Sequence, residues 1–270
     1  MDNLSEIAAE NGMVEAEQEA NDDTLTICEL NEDQYNEFFR VISILKESCE
    51  DLDIIGGVVR QRSTDNSSIF EIDLRSYLED INLPLSKLKQ KIELLKMFTG
   101  NEVKISVDEE TCTFSDDYST LSFKKVLPDY LDNRFMSEED LNAIFNLNED
   151  SLLLSTEVPT RISERINAIK QGFSITAIQI NFEEETANMT AVTQSKDQHA
   201  KLMSDLITEA SLIGTTDLLI TPFIIDHDGD MSFKMYNIAE GVLVNKVDTT
   251  IGNIDVVIYG KSRLIQDETE

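Results

Sequence analysis

The sequence predicts an α+β protein of two similar domains, and three observations carry that reading. A chain of 270 residues exceeds the usual size of one compact core, and it divides into two units of roughly 110 to 130 residues each. Apolar residues make up 41% of it, so 53 acidic residues against 22 basic ones mark an acidic folded protein rather than a disordered one. The order strand, helix, strand, polar turn, strand occurs twice, starting near Leu25 and again near Leu152. This is a weak repeat, visible in element order and not in identity.

Residues 1–24 hold eight acidic side chains and no basic one, without sustained periodicity, and read as a disordered acidic tail. The first domain spans 25–126. LTICEL gives a short strand, and Asn31 then caps a helix reaching to about residue 47, with Gln34 placed for a capping box. Tyr35, Phe38, Phe39, Ile42 and Leu45 form the apolar face of that helix. DIIGGVVRQR and SIFEIDL are β-rich runs joined by a polar turn, a hairpin pattern. A helix over 85–98, LSKLKQKIELLKMF, follows. Leu85, Leu88, Ile92 and Leu95 recur at the 3-and-4 spacing of one buried stripe, while Lys87 with Lys91 and Lys89 with Lys96 line its two margins. NEVKISVD, ETCTFS and STLSFKK close the domain as three strands.

Residues 127–150 read as an interdomain connector: Pro128 breaks the sheet pattern, and Ser137 ahead of Glu138, Glu139 and Asp140 starts a short helix. The second domain, 151–270, opens with SLLLST and a helix over 157–171 with Pro159 in its first turn. Val158, Ile162, Ile166, Ile169 and Phe173 make its stripe, flanked by Arg161 and Arg165 on one side and Lys170 on the other. SITAIQINF and ANMTAVT read as a hairpin turning at 183–185, and residues 197–210 fit helix or strand equally. LLITPFIID, SFKMYN, VLVNKV and IDVVIYG are then successive strands.

Catalytic patterns are missing from the sequence. His199 and His227 stand alone, and no GxSxG, P-loop or GxGxxG occurs, so no enzyme is expected. Asp226, Asp228, Gly229 and Asp230 begin like a calcium loop, but Met231 and Asn237 stand where an EF-hand needs glycine and an acid, so a tight hairpin turn is expected instead. Cys28, Cys49 and Cys112 form no CxxC pair and lie away from histidine, which points to a reducing cytoplasm and to no metal or cofactor. No apolar run is long enough to span a bilayer, and no signal peptide pattern opens the chain.

A formal net charge of -31 excludes a protein that grips nucleic acid or anionic lipid over its general surface. Positive charge is nevertheless gathered: the three helices hold nine of the 22 Lys and Arg residues, where an even spread gives about four. The first helix is net negative, with Arg40 and Lys46 against Glu32, Asp33, Glu37 and Glu47. An acidic β-rich shell with relatively basic helices suits a protein whose helices face a polyanion.

This order of elements resembles DNA polymerase sliding clamps, in particular the compact clamps of T4-type bacteriophages. The resemblance runs over nearly the whole chain after the tail. Its most specific stretches are VVRQRSTDNSSIFEIDL before the lysine helix, EVKISVDEETCTFSDDYSTLSFKK, SITAIQINFEEETANMTAVT and MSFKMYNIAEGVLVNKVDTTIGNIDVVIYG. It implies two DNA-clamp domains, each with helices packed on one face of β-sheets, and a head-to-tail homotrimeric ring acting as a non-catalytic processivity factor. By position it assigns DNA-facing roles to Lys87, Lys89, Lys91 and Lys96, to Arg161, Arg165 and Lys170, and to Arg40 and Lys46. Double-stranded DNA would be bound without sequence preference, and a DNA polymerase and an ATP-dependent clamp loader would dock beside the connector near Leu127, Tyr130 and Leu131. The acidic tail and the longer connector depart from that pattern, and the fourth helix it implies could be supplied only by 197–210, which fit strand as well. The competing reading is an acidic β-rich interaction or DNA-mimic protein of a phage. It asks for carboxylates in rows on helices, whereas here they cluster in turns and the tail.

Overall fold

The computed structural model describes residues 26–79, 81–126, 135–145, 147–172, 174–193, 199–218, 221–224 and 227–265, so the acidic tail at 1–24 lies outside the described residues. Alternating buried and open side chains build the first sheet. β1 (Thr26–Leu30), β6 (Val103–Val107), β7 (Thr111–Ser115) and β8 (Thr120–Lys124) pair antiparallel in the order β1-β6-β7-β8. In β6, Val103, Ile105 and Val107 are buried while Lys104 is open to solvent.

Onto this core folds α1 (Glu32–Leu45), whose start is fixed by the capping box read in the sequence: the Gln34 amide donates to Asn31 Oδ1 at 2.9 Å and the Asn31 amide to Gln34 Oε1 at 3.0 Å. It buries Tyr35, Phe38, Val41, Ile42 and Leu45, each worth about 2 kcal/mol relative to exposure. β2 (Leu52–Ile54) pairs with β5 (Leu83–Leu85), and β3 (Val58–Arg62) forms the expected hairpin with β4 (Ser68–Asp73), followed by the short α2 (Arg75–Leu78).

The lysine helix is shorter than its hydrophobic spacing predicts. Leu85 belongs to β5, opposite Leu52, and α3 (Leu88–Leu95) starts only after Lys87, which takes a left-handed φ of 52°. Two contacts hold that break: the Lys87 amide donates to Asp51 Oδ1 at 2.9 Å and the Leu88 amide to the Glu50 carbonyl at 2.7 Å. Beyond α3 the chain tightens into a 3-10 turn at Lys96–Phe98.

The second half repeats the plan with longer strands. β9 (Leu152–Val158) leads into α5 (Thr160–Gly172), then β10 (Ile175–Thr193), β11 (His199–Leu218), the single-turn α6 (Thr221–Ile224), β12 (Asp228–Ala239), β13 (Val242–Ile251) and β14 (Ile254–Arg263). Four sequence expectations change here and one open reading is settled. Thr221–Ile224, expected as strand within LLITPFIID, form the helical turn α6 instead. Residues 157 and 158 are strand, because Val158 pairs with Met231 and Pro159 ends the pairing. The hairpin expected at 183–185 is a bulge instead: Glu184 has φ 57°, the register shifts between Glu184 and Thr186, and β10 pairs with β11 on both sides of it. Residues 199–210 are strand, because pairing with β10 decides what local pattern left open. Asp228–Asp230 is no hairpin turn but the opening of β12 itself, with Asp228 opposite Thr250 on β13.

One sheet, in the order β10-β11-β9-β12-β13-β14-β4-β3, carries the second half into the first. The junction is the antiparallel pairing of β14 with β4, from Asp255 opposite Asp73 to Gly260 opposite Ser68. Ile254, Val256 and Ile258 of β14 join Phe70 and Ile72 in the core beneath α1 and α3. Their strand neighbours Tyr259 and Ile69, on the opposite face, pack with Met136, Leu141 and Phe145 of the connector helix α4 (Glu138–Phe145) and the residues before it. At the far ends, β8 is an edge strand, and residues 199–207 of β11 pair only with β10 among the described residues.

Candidate nucleic-acid interface

The cations singled out in the sequence sit on α1, α3 and α5 or at their ends, and side-chain hydrogen bonds hold these helices in place. The Tyr35 hydroxyl donates to the Leu95 carbonyl at 2.8 Å and ties α1 to the end of α3. Burial pushes the pKa of this phenol far above its ordinary value, so it stays a donor. Thr160 anchors α5: its amide donates to Asp230 Oδ1 at 2.9 Å and its hydroxyl to the Gly229 carbonyl at 2.8 Å.

The four lysines around α3 fall into different environments. Lys87 and Lys96 are exposed. Lys89 meets Glu47 at 3.1 Å and Lys46 meets Glu93 at 3.7 Å, so two ion pairs bridge α1 and α3 and soften the positive field there. Lys91 departs from its expected place: it is only 9% exposed, with its amine 3.4 Å from Ser86 Oγ and 5.0 Å from the centroid of the Phe123 ring on β8. Burial pushes its pKa down. A cleft of about 490 Å³, lined by Lys46, Lys87 and Lys89 together with Glu47 and Glu50, lies between the end of α1 and the start of α3.

Arg40 reaches across to the second half, where its two terminal nitrogens each lie 3.2 Å from one oxygen of Asp228. On α5, Arg161, Arg165 and Lys170 are exposed, and none forms an ion pair within the described residues. The candidate for a fourth long helix, 197–210, is strand in β11 over its described residues, and among the described residues of the second half α5 is joined only by the single-turn α6, packed against it.

Leu127, Tyr130 and Leu131 lie outside the described residues. Beside them in sequence, α4 and β14 frame a cleft of about 450 Å³ that includes Leu141, Phe145, Tyr236, Lys246 and Tyr259, with the Phe145 and Tyr259 rings stacked at 4.8 Å. The i, i+4 spacing of Leu141 and Phe145 was the sequence signal for this feature. No group of three or more His, Cys, Asp or Glu able to hold a metal occurs among the described residues. Ser163 of α5 places its Oγ 3.1 Å from His227 Nε2, a buried contact and the one Ser–His hydrogen bond among the described residues. Among the described residues no helix is long and apolar enough to cross a membrane.

Two similar halves, each laying helices on one face of its sheets and sharing a sheet across their junction, define the sliding-clamp fold. No family model and no curated protein matches the sequence. Solved structures match over most of the chain. The PCNA2-PCNA3 complex of Sulfolobus tokodaii aligns at TM-score 0.58 and 15% identity, over 88% of this chain and 99% of that one. PCNA of A. fulgidus, solved with the C-terminal region of FEN-1 bound, aligns at TM-score 0.60 and 10% identity, over 89% and 99%. Proliferating Cellular Nuclear Antigen of Entamoeba histolytica aligns at 0.58 and 13%, over 88% and 98%. The chain thus has the PCNA-like clamp fold, an α+β architecture of two similar domains.

Proposed function

We propose that the protein is a sliding clamp: a head-to-tail homotrimer that encircles double-stranded DNA and tethers a replicative DNA polymerase without catalysing a reaction itself. The observation that carries this reading is the pairing of β14 with β4 inside the chain, together with the open edges of β8 and of residues 199–207 in β11. β8 stands in the first half where β14 stands in the second, and residues 199–207 stand in the second where β4 stands in the first. One copy's β8 therefore fits the next copy's β11 as β14 fits β4. Repeating a heterologous contact around an axis closes a ring, and three two-domain chains give six domains.

In that ring the helices line the hole, and Lys87, Lys89, Lys96, Arg161 and Lys170 supply mobile contacts to phosphates, with Lys46 contributing beside Glu93. Such contacts position without reading sequence, as a sliding ring needs. The acidic remainder of the surface keeps DNA from binding elsewhere. The polymerase and an ATP-driven loader dock beside the connector, around 127, 130 and 131 and the neighbouring α4 cleft. The peptide seen on the archaeal PCNA supports docking of this kind. The resemblance in sequence pattern supports a T4-type phage clamp, working in the host cytoplasm.

Light scattering during gel filtration tests the assembly: a concentration-dependent mass of three chains is expected, and a strict monomer at tens of micromolar overturns the reading. Reversing Lys87, Lys89 and Lys96 to Glu is expected to lower loader-dependent polymerase processivity while the trimer persists. Unchanged processivity would remove these lysines from the DNA path.

A further inference from the structure

We propose that Arg165 closes the ring electrostatically, its guanidinium docking on the acidic β7–β8 turn at Asp116 and Asp117 of the adjacent copy. This rests on the ring reading and specifies what holds its open boundary. The junction inside the chain provides the template. There Glu37 of α1 touches the β13–β14 turn: it accepts from the Asn253 amide at 3.2 Å and from the Tyr77 hydroxyl, and Gly252 lies so close to it that a Cβ would overlap its carboxylate.

Strand register tells which residue of the second half occupies the place of Glu37. Leu30 pairs with Val103 and Val158 with Met231, one residue before each helix cap, and α1 begins at Glu32 as α5 begins at Thr160. Counting forward without a gap, Glu37 corresponds to Arg165. The helix flank that faces the β13–β14 turn in the first half thus carries an arginine in the second.

Register also gives the surface that this arginine meets. Lys104 pairs with Ser115, which pairs with Thr120; correspondingly Ser232 pairs with Asp248, which pairs with Val257. The β7–β8 hairpin is therefore two residue pairs shorter than β13–β14, a retreat of about 7 Å at the usual rise per residue. A glutamate at 165 would fall short and would meet acids. An arginine spans the gap and meets its complement, for the shortened turn reads Asp116-Asp117-Tyr118-Ser119. Asp116 Oδ1 is taken by the Tyr118 and Ser119 amides, which leaves Oδ2, and Asp117 has no ion pair among the described residues. Tyr118 is 87% exposed, a free ring for the guanidinium to stack on. Behind the turn a cleft of about 600 Å³ gathers Glu29, Glu102, Asp116 and Asp117, and its one cation, Lys104, is paired with Glu29 at 3.7 Å.

Copies of a chain with net charge -31 repel one another, so a local contact of opposite charges at each boundary favours assembly and fixes its head-to-tail sense. Because the contact is exposed, salt weakens it.

The test is a charge swap read by sedimentation on dilution at low and moderate salt. Arg165→Glu and Asp117→Lys, each alone, are expected to weaken trimer association by about tenfold or more, with urea midpoints of the monomer unchanged. Arg165→Glu combined with Asp117→Lys in one chain is expected to restore most of the association. A native chain that trimerises with Arg165→Glu equally trimeric, or a swap that fails to rescue, overturns the contact and leaves the ring reading standing. A native chain that stays monomeric overturns both.

Discussion

Arg40 and Asp228, 188 residues apart in sequence, meet side by side, one guanidinium nitrogen on each carboxylate oxygen at 3.2 Å. Asp228 also accepts from the Gly252 amide at 2.6 Å. One carboxylate thus links α1, the start of β12 and the β13–β14 turn, clasping the two halves beside the β14–β4 pairing. A cation assigned to DNA by its place on a helix is engaged with its own chain.

Because the pair is partly exposed, with side chains 32% and 51% accessible, its contribution is modest. Arg40→Ala is expected to lower stability by about 0.5 to 1 kcal/mol, seen as a lower urea midpoint. The Arg40 hydrogen bonds, then the Gly252 amide, hold the Asp228 carboxyl below its ordinary pKa. A depressed folded-state pKa gives stability that is present above the unfolded value near 4 and lost as pH falls through the folded one. Asp228→Asn should therefore flatten the acid limb of the stability curve. An acid limb identical to that of the native protein would show that the clasp contributes nothing.

Lys91 gives the opposite sign. Its amine is buried beside Phe123 and Ser86, with no ion pair to a carboxylate among the described residues, and burial depresses its pKa against a smaller opposing pull from Asp51. For a base this means that the unfolded chain binds the proton more tightly. The cost to folding is full below the folded-state pKa and is relieved as pH rises toward the unfolded value of about 10.4. Lys91→Met, which keeps the stem and removes the charge, is expected to be neutral or stabilising by about 1 to 2 kcal/mol near neutral pH, with the gain shrinking in alkali. Thermal melts of both proteins between pH 7 and 10 would show it, and a pH-independent difference would refute it.

These two cations mark the limit of what the sequence reveals. Local pattern gives α1, its capping box at Asn31 and the strands β3, β4, β6, β7, β8, β13 and β14, because those depend on neighbours three or four residues away, or on alternation. Lys91 looked like a margin residue because its burial depends on Phe123, which a separate strand delivers 32 residues later. Leu85 matched the helix stripe and is strand because Leu52 pairs with it. The run 199–210 was undecidable locally, since Leu202 and Leu206 fit helical spacing as well as alternation, and only β10 selects the strand. What was hidden in each case is tertiary.

Tyr35 is the buried link between the two helices of the first half. Tyr35→Phe keeps the ring among Phe38, Phe39 and Phe98 and removes the bond to Leu95, leaving that carbonyl without the hydroxyl. A loss of about 1 to 2 kcal/mol is expected, with faster amide exchange concentrated at the end of α3. Uniform exchange through the first half would mean that the hydroxyl sets global stability only.

Gly252 separates backbone strain from side-chain overlap at the junction. Its φ is +59°, and a Cβ there would strike the Glu37 carboxylate. The left-handed conformation alone costs a non-glycine residue about 1 kcal/mol, while displacing Glu37 also breaks its bonds to Asn253 and Tyr77, about 1 kcal/mol each. Gly252→Ala is therefore expected to destabilise by about 3 kcal/mol. Glu37→Ala removes both the obstacle and the bonds. If overlap dominates, adding Gly252→Ala to Glu37→Ala should cost only the backbone term, giving a coupling of at least about 1 kcal/mol in the double-mutant cycle. Strict additivity would assign the whole effect to φ, and would mean that the turn does not rest on Glu37, the contact by which Arg165 was matched to its place.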